Sequence, residues 1–527
     1  MLKNKLYVYG DDNILTVPSH THYGKYMLHT FQKYKDTAAI INAETSETLS
    51  FSELSQQIVN IALSLTRMGV RKGDVISVCS EKRMEFIPTV MGIICAGATF
   101  APTDITCGRA SILHRINLAK PRIIFCSPSG YDNHRQTLEE VATIDTIITY
   151  GDDKRDGAMT FKDFLTEHAD VEDFFATPVN GWEDIALILY SSGTTGLPKG
   201  IPLTHSNLLL FLGDVNETTF NKQRTLITRE WYYSYGLGHT LFTLHAGSTV
   251  VYCPRGTEVD FLEAIQTYKI NTMQLTPTTV VEMLKSTILD QYDVSSLQYL
   301  ISASITFDSQ LVEAIKKRFP NLKHVSQYYG MSEAGCLCHD RRTPKGPKPG
   351  SVGCATESFI FKIIDLNSGE PLGPNQRGEI CFKSPTLMKG YIGDTGEEYM
   401  DEEGFFKTGD IGYYDEDKYF FIVDRVKELI KFNSYQVAPA ELEAVLLQHP
   451  AVRDAGVVGA PHEEFGQVPT AFVVLQPNVD ITSEQIVQYV DSQVSARMRL
   501  AGGVRFVQAL PRSTSSKLNR KDLLNML

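Results

Sequence analysis

The run Tyr190-Ser191-Ser192-Gly193-Thr194-Thr195-Gly196-Leu197-Pro198-Lys199-Gly200 leads an apolar segment, Ile185 to Leu189, straight into a loop of hydroxyls and glycines that ends in lysine. Glycines let backbone N–H groups approach phosphate oxygens, and the hydroxyls add donors. The lysine brings positive charge. The loop is not a Walker A motif, because Pro198 precedes Lys199 and Gly200, rather than Ser or Thr, follows it. The chemistry these residues suit is the holding of phosphate groups.

The loop resembles the phosphate-binding signature of the adenylate-forming superfamily. That superfamily holds acyl-CoA synthetases, aryl-CoA ligases, beetle luciferases and the adenylation domains of peptide synthetases. Four further segments resemble its signatures in the family's order: Gln327-Tyr328-Tyr329-Gly330-Met331-Ser332-Glu333, Thr408-Gly409-Asp410, Asp424-Arg425-Val426-Lys427-Glu428-Leu429-Ile430-Lys431, and Pro511-Arg512-Ser513-Thr514-Ser515-Ser516-Lys517-Leu518-Asn519-Arg520. The resemblance implies that Ser191, Ser192, Gly193, Thr194, Thr195, Gly196 and Lys199 hold the phosphates of ATP. It implies Tyr329 against the adenine face, Ser332 near the α-phosphate and Glu333 on a magnesium ion. Magnesium suits one carboxylate plus phosphate oxygens. Asp410 is implied at the ribose hydroxyls, as acidic residues serve in other nucleotide folds, with Arg425 nearby. Lys517 is implied as the adenylation lysine, countering negative charge in the in-line transition state. Lys431 is implied to enter the site only after the C-terminal domain has turned.

Two half-reactions follow from the resemblance. A small carboxylic acid attacks the α-phosphorus of Mg-ATP and pyrophosphate leaves; like charges repel in that step, so cations at fixed positions are required. The acyl-AMP is then consumed by coenzyme A in a carboxylate–CoA ligase. In the alternative, a luciferase, O2 adds after a proton is lost beside the activated carbonyl. A loader of carrier proteins and a non-catalytic nucleotide binder are further alternatives; retention of Lys199, Glu333, Asp410 and Lys517 together argues against the last.

The chain departs from the family pattern in four places. Tyr233, in Glu230-Trp231-Tyr232-Tyr233-Ser234-Tyr235-Gly236-Leu237, stands where many relatives carry a histidine facing the substrate carboxylate; it is the third residue expected to be catalytic, with Lys517 and Lys431. Tyrosine can still hydrogen-bond but is normally neutral. The substrate-pocket glycine pair is replaced in Ser302-Ala303-Ser304-Ile305, which reshapes the acyl slot. Ser434 and Ser516 replace loop glycines. A Cβ at Ser434 crowds the place where relatives bring coenzyme A to the backbone. The aromatic run of Trp231, Tyr232, Tyr233 and Tyr235 fits an aromatic substrate and fits ordinary packing equally.

These residues need a frame that brings distant loops together. Ser50-Phe51-Ser52-Glu53 is a capping box, Leu54, Ile58, Ile61 and Leu65 recur at helical spacing, and Gly69 closes that helix. Short apolar runs at 74–79, 123–125, 146–149 and 185–190 predict strands separated by helices, hence a parallel α/β sheet covered on both faces. From about Gly353, alternation and turns predict a mostly β subdomain. After Arg425 a compact α+β unit is predicted, its first clear helix over Val437–Leu446. The expected fold is therefore α/β: a large N-terminal AMP-binding domain (1–424) of two parallel α/β sheet subdomains plus a β subdomain, a hinge at 425–427, and a small mobile α+β C-terminal domain (428–527).

Composition is ordinary for a globular protein. The 527 residues are 43% hydrophobic and 21% charged, with net charge −12, and no basic cluster suggests a nucleic-acid partner. Phe86 to Thr103 is uncharged but interrupted by Pro88, Gly92, Gly97 and Pro102, so it reads as a buried helix turning into a buried strand rather than a membrane span. Nine scattered cysteines suit reduced thiols and an intracellular home, probed further by the N-terminus without an apolar signal and the C-terminus Asn525-Met526-Leu527, which is not of the Ser-Lys-Leu peroxisomal type. The Cys336-Leu337-Cys338 pair lacks a second pair at zinc spacing.

Overall fold

The structure is a computed structural model that describes all residues except 1–5, 11–16, 192–197, 213–222, 276, 304–308, 341–345, 394–398, 433–434, 496–497 and 513–516. The chain divides into two compact units, one holding residues 9–360 and 383–398, the other holding residues up to 8 with 361–382 and 399–527.

The larger unit is built on two mainly parallel sheets. The seven-stranded sheet runs, edge to edge, Lys199–Thr204, Ile185–Ser191, Thr99–Thr103, Val75–Cys79, Ile123–Cys126, Thr146–Thr149, Met159–Thr160. Its interior pairs are parallel, and only the edge pair of Lys199–Thr204 with Ile185–Ser191 is antiparallel. Parallel strands covered on both faces read as unbroken apolar runs, as Ile123–Cys126 does, with all four residues buried. The nine-stranded sheet places Thr272–Leu275, Tyr299–Ala303 and His324–Met331 side by side in parallel, with Gly335–His339 returning antiparallel at one side. The expected strands are thus present, and so are the two parallel subdomains.

Local signals set the helices. Ser50 and Glu53 form the capping box, and the helix Phe51–Arg67 buries Leu54, Ile58, Ile61 and Leu65 before Gly69 takes φ 79°. Every residue of helix Phe86–Cys95 and of the following strand Thr99–Thr103 is buried, as the uncharged stretch predicts. No helix among the described residues is long and apolar enough to cross a membrane.

The second unit holds the β subdomain and the small C-terminal domain. The first is a five-stranded sheet of Val8–Tyr9, Ile360–Ile364, Gly378–Lys383, Phe406–Tyr414 and Phe420–Arg425. The second pairs Val452–His462 with Gly466–Leu475 over ten registered positions, and carries its own core of Ile430, Leu442, Val457, Ala471 and Ile486 among others. The helix expected over Val437–Leu446 runs Pro439–Gln448 instead. Pro439 takes the first helical position and its ring keeps Ala438 extended (φ −80°, ψ 115°), so the helix cannot begin earlier.

Candidate active site

The edge hairpin of the seven-stranded sheet sets the ends of the phosphate loop. Ser191 lies directly opposite Lys199 in the antiparallel register. Ser192, Gly193, Thr194, Thr195 and Gly196 lie outside the described residues. At the loop's far end the Pro198 carbonyl accepts a hydrogen bond from His114 Nε2 at 2.8 Å. Lys199 Nζ stands 4.6 Å from the centre of the Tyr391 ring, over its face. The Tyr391 hydroxyl donates to Glu333 Oε1 at 2.7 Å. Two residues expected in the site, Lys199 and Glu333, are thereby joined through a third that no motif marked. Glu333 is almost fully buried, with 5% exposure, just beyond the strand His324–Met331. Tyr329, earlier in that strand, is buried and faces Cys338 across the ladder.

A single carboxylate on a buried shelf is a fit for magnesium, which keeps waters and phosphate oxygens as its other ligands. Among the described residues no group of three or more His, Cys, Asp or Glu side chains is placed to hold a metal ion.

The turn after strand Arg224–Ile227 brings in Tyr233. Its hydroxyl donates to Asp104 Oδ2 at 2.8 Å. Burial pushes the Asp104 carboxyl up, but hydrogen bonds from the Thr106 hydroxyl (2.6 Å) and amide (2.9 Å) and from Tyr233 outweigh it and hold the group below the usual carboxylate range. Tyr233 is thus a donor to a fixed anion, a role a neutral phenol fills without change of charge. Next to it, Ser332 Oγ donates to Ser234 Oγ at 2.9 Å, tying this turn to the Tyr329–Glu333 segment. The turn closes tightly: a Cβ on Gly236 would lie 2.2 Å from the Glu230 carbonyl oxygen, so only glycine fits.

The residues of the aromatic run make different contacts. Trp231 is fully buried between Phe86 and Tyr252, at ring distances of 5.6 and 4.9 Å, and belongs to the core. Tyr235 instead meets His239 edge-on at 5.2 Å, and His239 in turn faces Tyr328 at 6.2 Å. Ser302, one of the residues replacing the glycine pair, is buried in strand Tyr299–Ala303; Ser304 lies outside the described residues.

Lys82 carries no motif in the sequence. Its side chain has no exposure, and Nζ lies 3.2 Å from Glu230 Oε1 and 3.5 Å from the Thr228 carbonyl oxygen. It pins the turn that carries Tyr233, whose own amide bonds the Glu230 carbonyl at 3.2 Å. No local signal in the sequence distinguishes it.

In the second unit, Asp410 and Arg425 face one another on neighbouring antiparallel strands, with Arg425 Nε 2.9 Å from Asp410 Oδ1. Gly409, at φ 71°, turns its amide onto Glu379 Oε1 at 3.0 Å. Burial pushes the Glu379 carboxyl up, against that amide and Lys407, with the Asp410 charge adding to the rise. Lys431 is exposed on the short strand Ile430–Phe432, its amide bonded to Gln467 Oε1 at 2.8 Å. Lys517 is exposed, and the loop before it, including Ser516, lies outside the described residues, as does Ser434. The base of that loop is pinned on both sides. Arg512 Nη2 meets both Asp454 oxygens at 2.9 and 2.7 Å. Arg520 Nη2 meets both Glu443 oxygens at 2.9 and 3.0 Å. Burial pushes the Glu443 carboxyl up to about 7, with Arg520 opposing the rise.

A family model described as "AMP-binding enzyme" matches residues 28–392, and one described as "AMP-binding enzyme C-terminal domain" matches residues 441–517. The chain belongs to the AMP-binding enzymes. This AMP-binding enzyme is 37% identical to a luciferin 4-monooxygenase of Nipponoluciola cruciata over 98% of both chains. It is 34% identical to 4-coumarate–CoA ligase 1 of Petroselinum crispum, over 96% of this chain and 94% of the relative. Its fold matches the crystal structure of ATP-bound MatB from Rhodopseudomonas palustris with a TM-score of 0.84, at 26% identity over 95% of this chain and 98% of that one.

Two predictions rest on the buried charges. Asp104 has a lowered pKa in the folded enzyme, so as pH falls the unfolded chain takes up the proton first. Its contribution is full above the unfolded value and is lost as pH falls through the folded one. Asp104→Asn should therefore cost about 1–3 kcal/mol at pH 7, and the gap to wild type should narrow in acid, read from urea unfolding midpoints at pH 7 and below pH 4. Glu230→Gln should cost about 2 kcal/mol, less than a fully buried pair because Glu230 is 31% exposed. The double change Lys82→Met with Glu230→Gln should recover most of that loss; equal costs for single and double variants would show that Lys82 does not depend on Glu230.

Proposed function

We propose that this enzyme activates a small carboxylic acid as its acyl-AMP, using ATP and magnesium, and then transfers the acyl group to coenzyme A. The observation that carries the reading is the grouping of Lys199 and the buried Glu333 about Tyr391, at the ends of two sheets, in a chain that matches both AMP-binding models.

Each residue then has a task. Ser191, Ser192, Gly193, Thr194, Thr195, Gly196 and Lys199 hold the β- and γ-phosphates as pyrophosphate departs. Tyr329 lies along the adenine and Ser332 beside the α-phosphate. Asp410 accepts the ribose hydroxyls, steered by the Arg425 guanidinium already on its Oδ1. Tyr233, held by Asp104, hydrogen-bonds at the carboxylate end of the acid. Lys517 bridges the acid and the α-phosphate, a cation placed where negative charge develops. Glu333 would hold magnesium, which when bound neutralises phosphate oxygens.

Residues 425–427 are the hinge in this reading, about which the domain of residues 428–527 turns to replace Lys517 with Lys431 for thioester formation. The separate core of that domain and the pinned base of the Lys517 loop support this, because a rigid body can carry a lysine in and out intact. The nine free thiols suit a reducing, intracellular compartment.

A second reading is a monooxygenase that adenylates a luciferin and oxidises it with O2. The name of the relative at 37% identity favours it. One assay separates the two: pyrophosphate release over a panel of carboxylic acids, with and without coenzyme A, under photon counting. Turnover that needs coenzyme A is expected; light without it would establish the monooxygenase. Lys517→Ala should cut pyrophosphate release by about 100-fold or more while ATP binding stays within about twofold, measured by equilibrium dialysis. Undiminished release would remove Lys517 from the mechanism.

A further inference from the structure

Lys199 and Glu333 come from different sheets: Lys199 opens an edge strand of the seven-stranded sheet, and Glu333 follows a strand of the nine-stranded one. Nothing in either strand fixes the distance between them. One short segment does. The Met388 amide donates to the Glu333 carbonyl at 2.8 Å, and the Ile392 amide donates to the Gly200 carbonyl at 2.9 Å. Asn207 Nδ2 holds the start of the same segment through the Pro385 and Thr386 carbonyls, both at 3.2 Å. The approach at Gly200 is close, since a Cβ there would stand 3.0 Å from Ile392 Cδ1. The segment is thus stitched by main chain to both sheets, and Tyr391 lies between its two stitches.

We propose that Tyr391 is a positioning residue that sets the phosphate lysine and the metal carboxylate against each other, an inference that rests on the adenylating role given to Lys199 and Glu333 above. Its two ends act separately. The ring face attracts the Lys199 ammonium and holds the end of a long, flexible side chain over one ring. The hydroxyl occupies Glu333 Oε1, so the carboxylate keeps one orientation and offers Oε2 to a cation. Hydrogen-bonding partners of metal ligands commonly change metal affinity by about 10- to 100-fold. Phenylalanine keeps the first action and loses the second; leucine loses both.

The test is equilibrium dialysis of labelled ATP across a magnesium series, with wild type, Tyr391→Phe, Tyr391→Leu and Glu333→Gln. Tyr391→Phe should raise the half-saturating magnesium about tenfold, with ATP retention at saturating magnesium within about twofold of wild type. Tyr391→Leu should add a several-fold loss of ATP binding in the absence of magnesium, where only the lysine and the loop act. A Tyr391→Phe curve that superimposes on wild type while Glu333→Gln is displaced would overturn the positioning role and leave the assignment of Glu333 intact. A Glu333→Gln curve that does not move would overturn the metal assignment itself, and with it this inference.

Discussion

Two backbone hydrogen bonds, Met388 to Glu333 and Ile392 to Gly200, set the spacing on which the candidate site depends. Each parallel sheet is rigid within itself, because its strands are bonded on both sides and packed on both faces. Loops at the ends of two such sheets have no intrinsic relation. A main-chain strap is a sound way to impose one, since amide and carbonyl groups have fixed geometry and few rotatable bonds. The Lys199 ammonium and the Glu333 carboxylate can then be placed to within a side chain's reach, with Tyr391 filling the gap.

Within each compact unit, other charged groups are likewise held still by fixed partners. Asp104 is buried and yet kept ionised, because three donors converge on it. Lys82 is buried opposite Glu230, behind the turn it steadies. Asp410 has Arg425 on the neighbouring strand, at the matching register position. Arg512 and Arg520 grip two carboxylates on either side of the Lys517 loop. Such pairs contribute less to stability than their number suggests, since desolvation offsets attraction. They also hold charges and dipoles in fixed positions.

Tyr233, at the position where the resemblance implies a histidine, is intelligible in this setting. A histidine beside an ionised Asp104 would gain a proton more easily, and the site would change charge near neutral pH. A phenol donates to the same carboxylate and stays neutral. Trp231, two residues earlier, serves only the core, which shows that adjacent aromatic residues in one run can have unrelated physical roles.

Features carried by neighbours in the chain were legible from the sequence. The capping box at Ser50 and Glu53, the buried helix and strand from Phe86 to Thr103 and the apolar strands all depend on residues within a few positions of one another. The start of the helix at Pro439 was misplaced by two residues because the apolar spacing extends past the point where proline stops it. What only the tertiary structure decided are the meetings between distant residues. Tyr391 reaches Glu333 across 58 positions and Tyr233 reaches Asp104 across 129. The physical reason is that hydrogen bonds and ion pairs act over a few ångströms of space, whereas a sequence records distance only along the chain. A residue such as Tyr391 or Lys82 carries no local mark of its role until the sheets bring its partner to it.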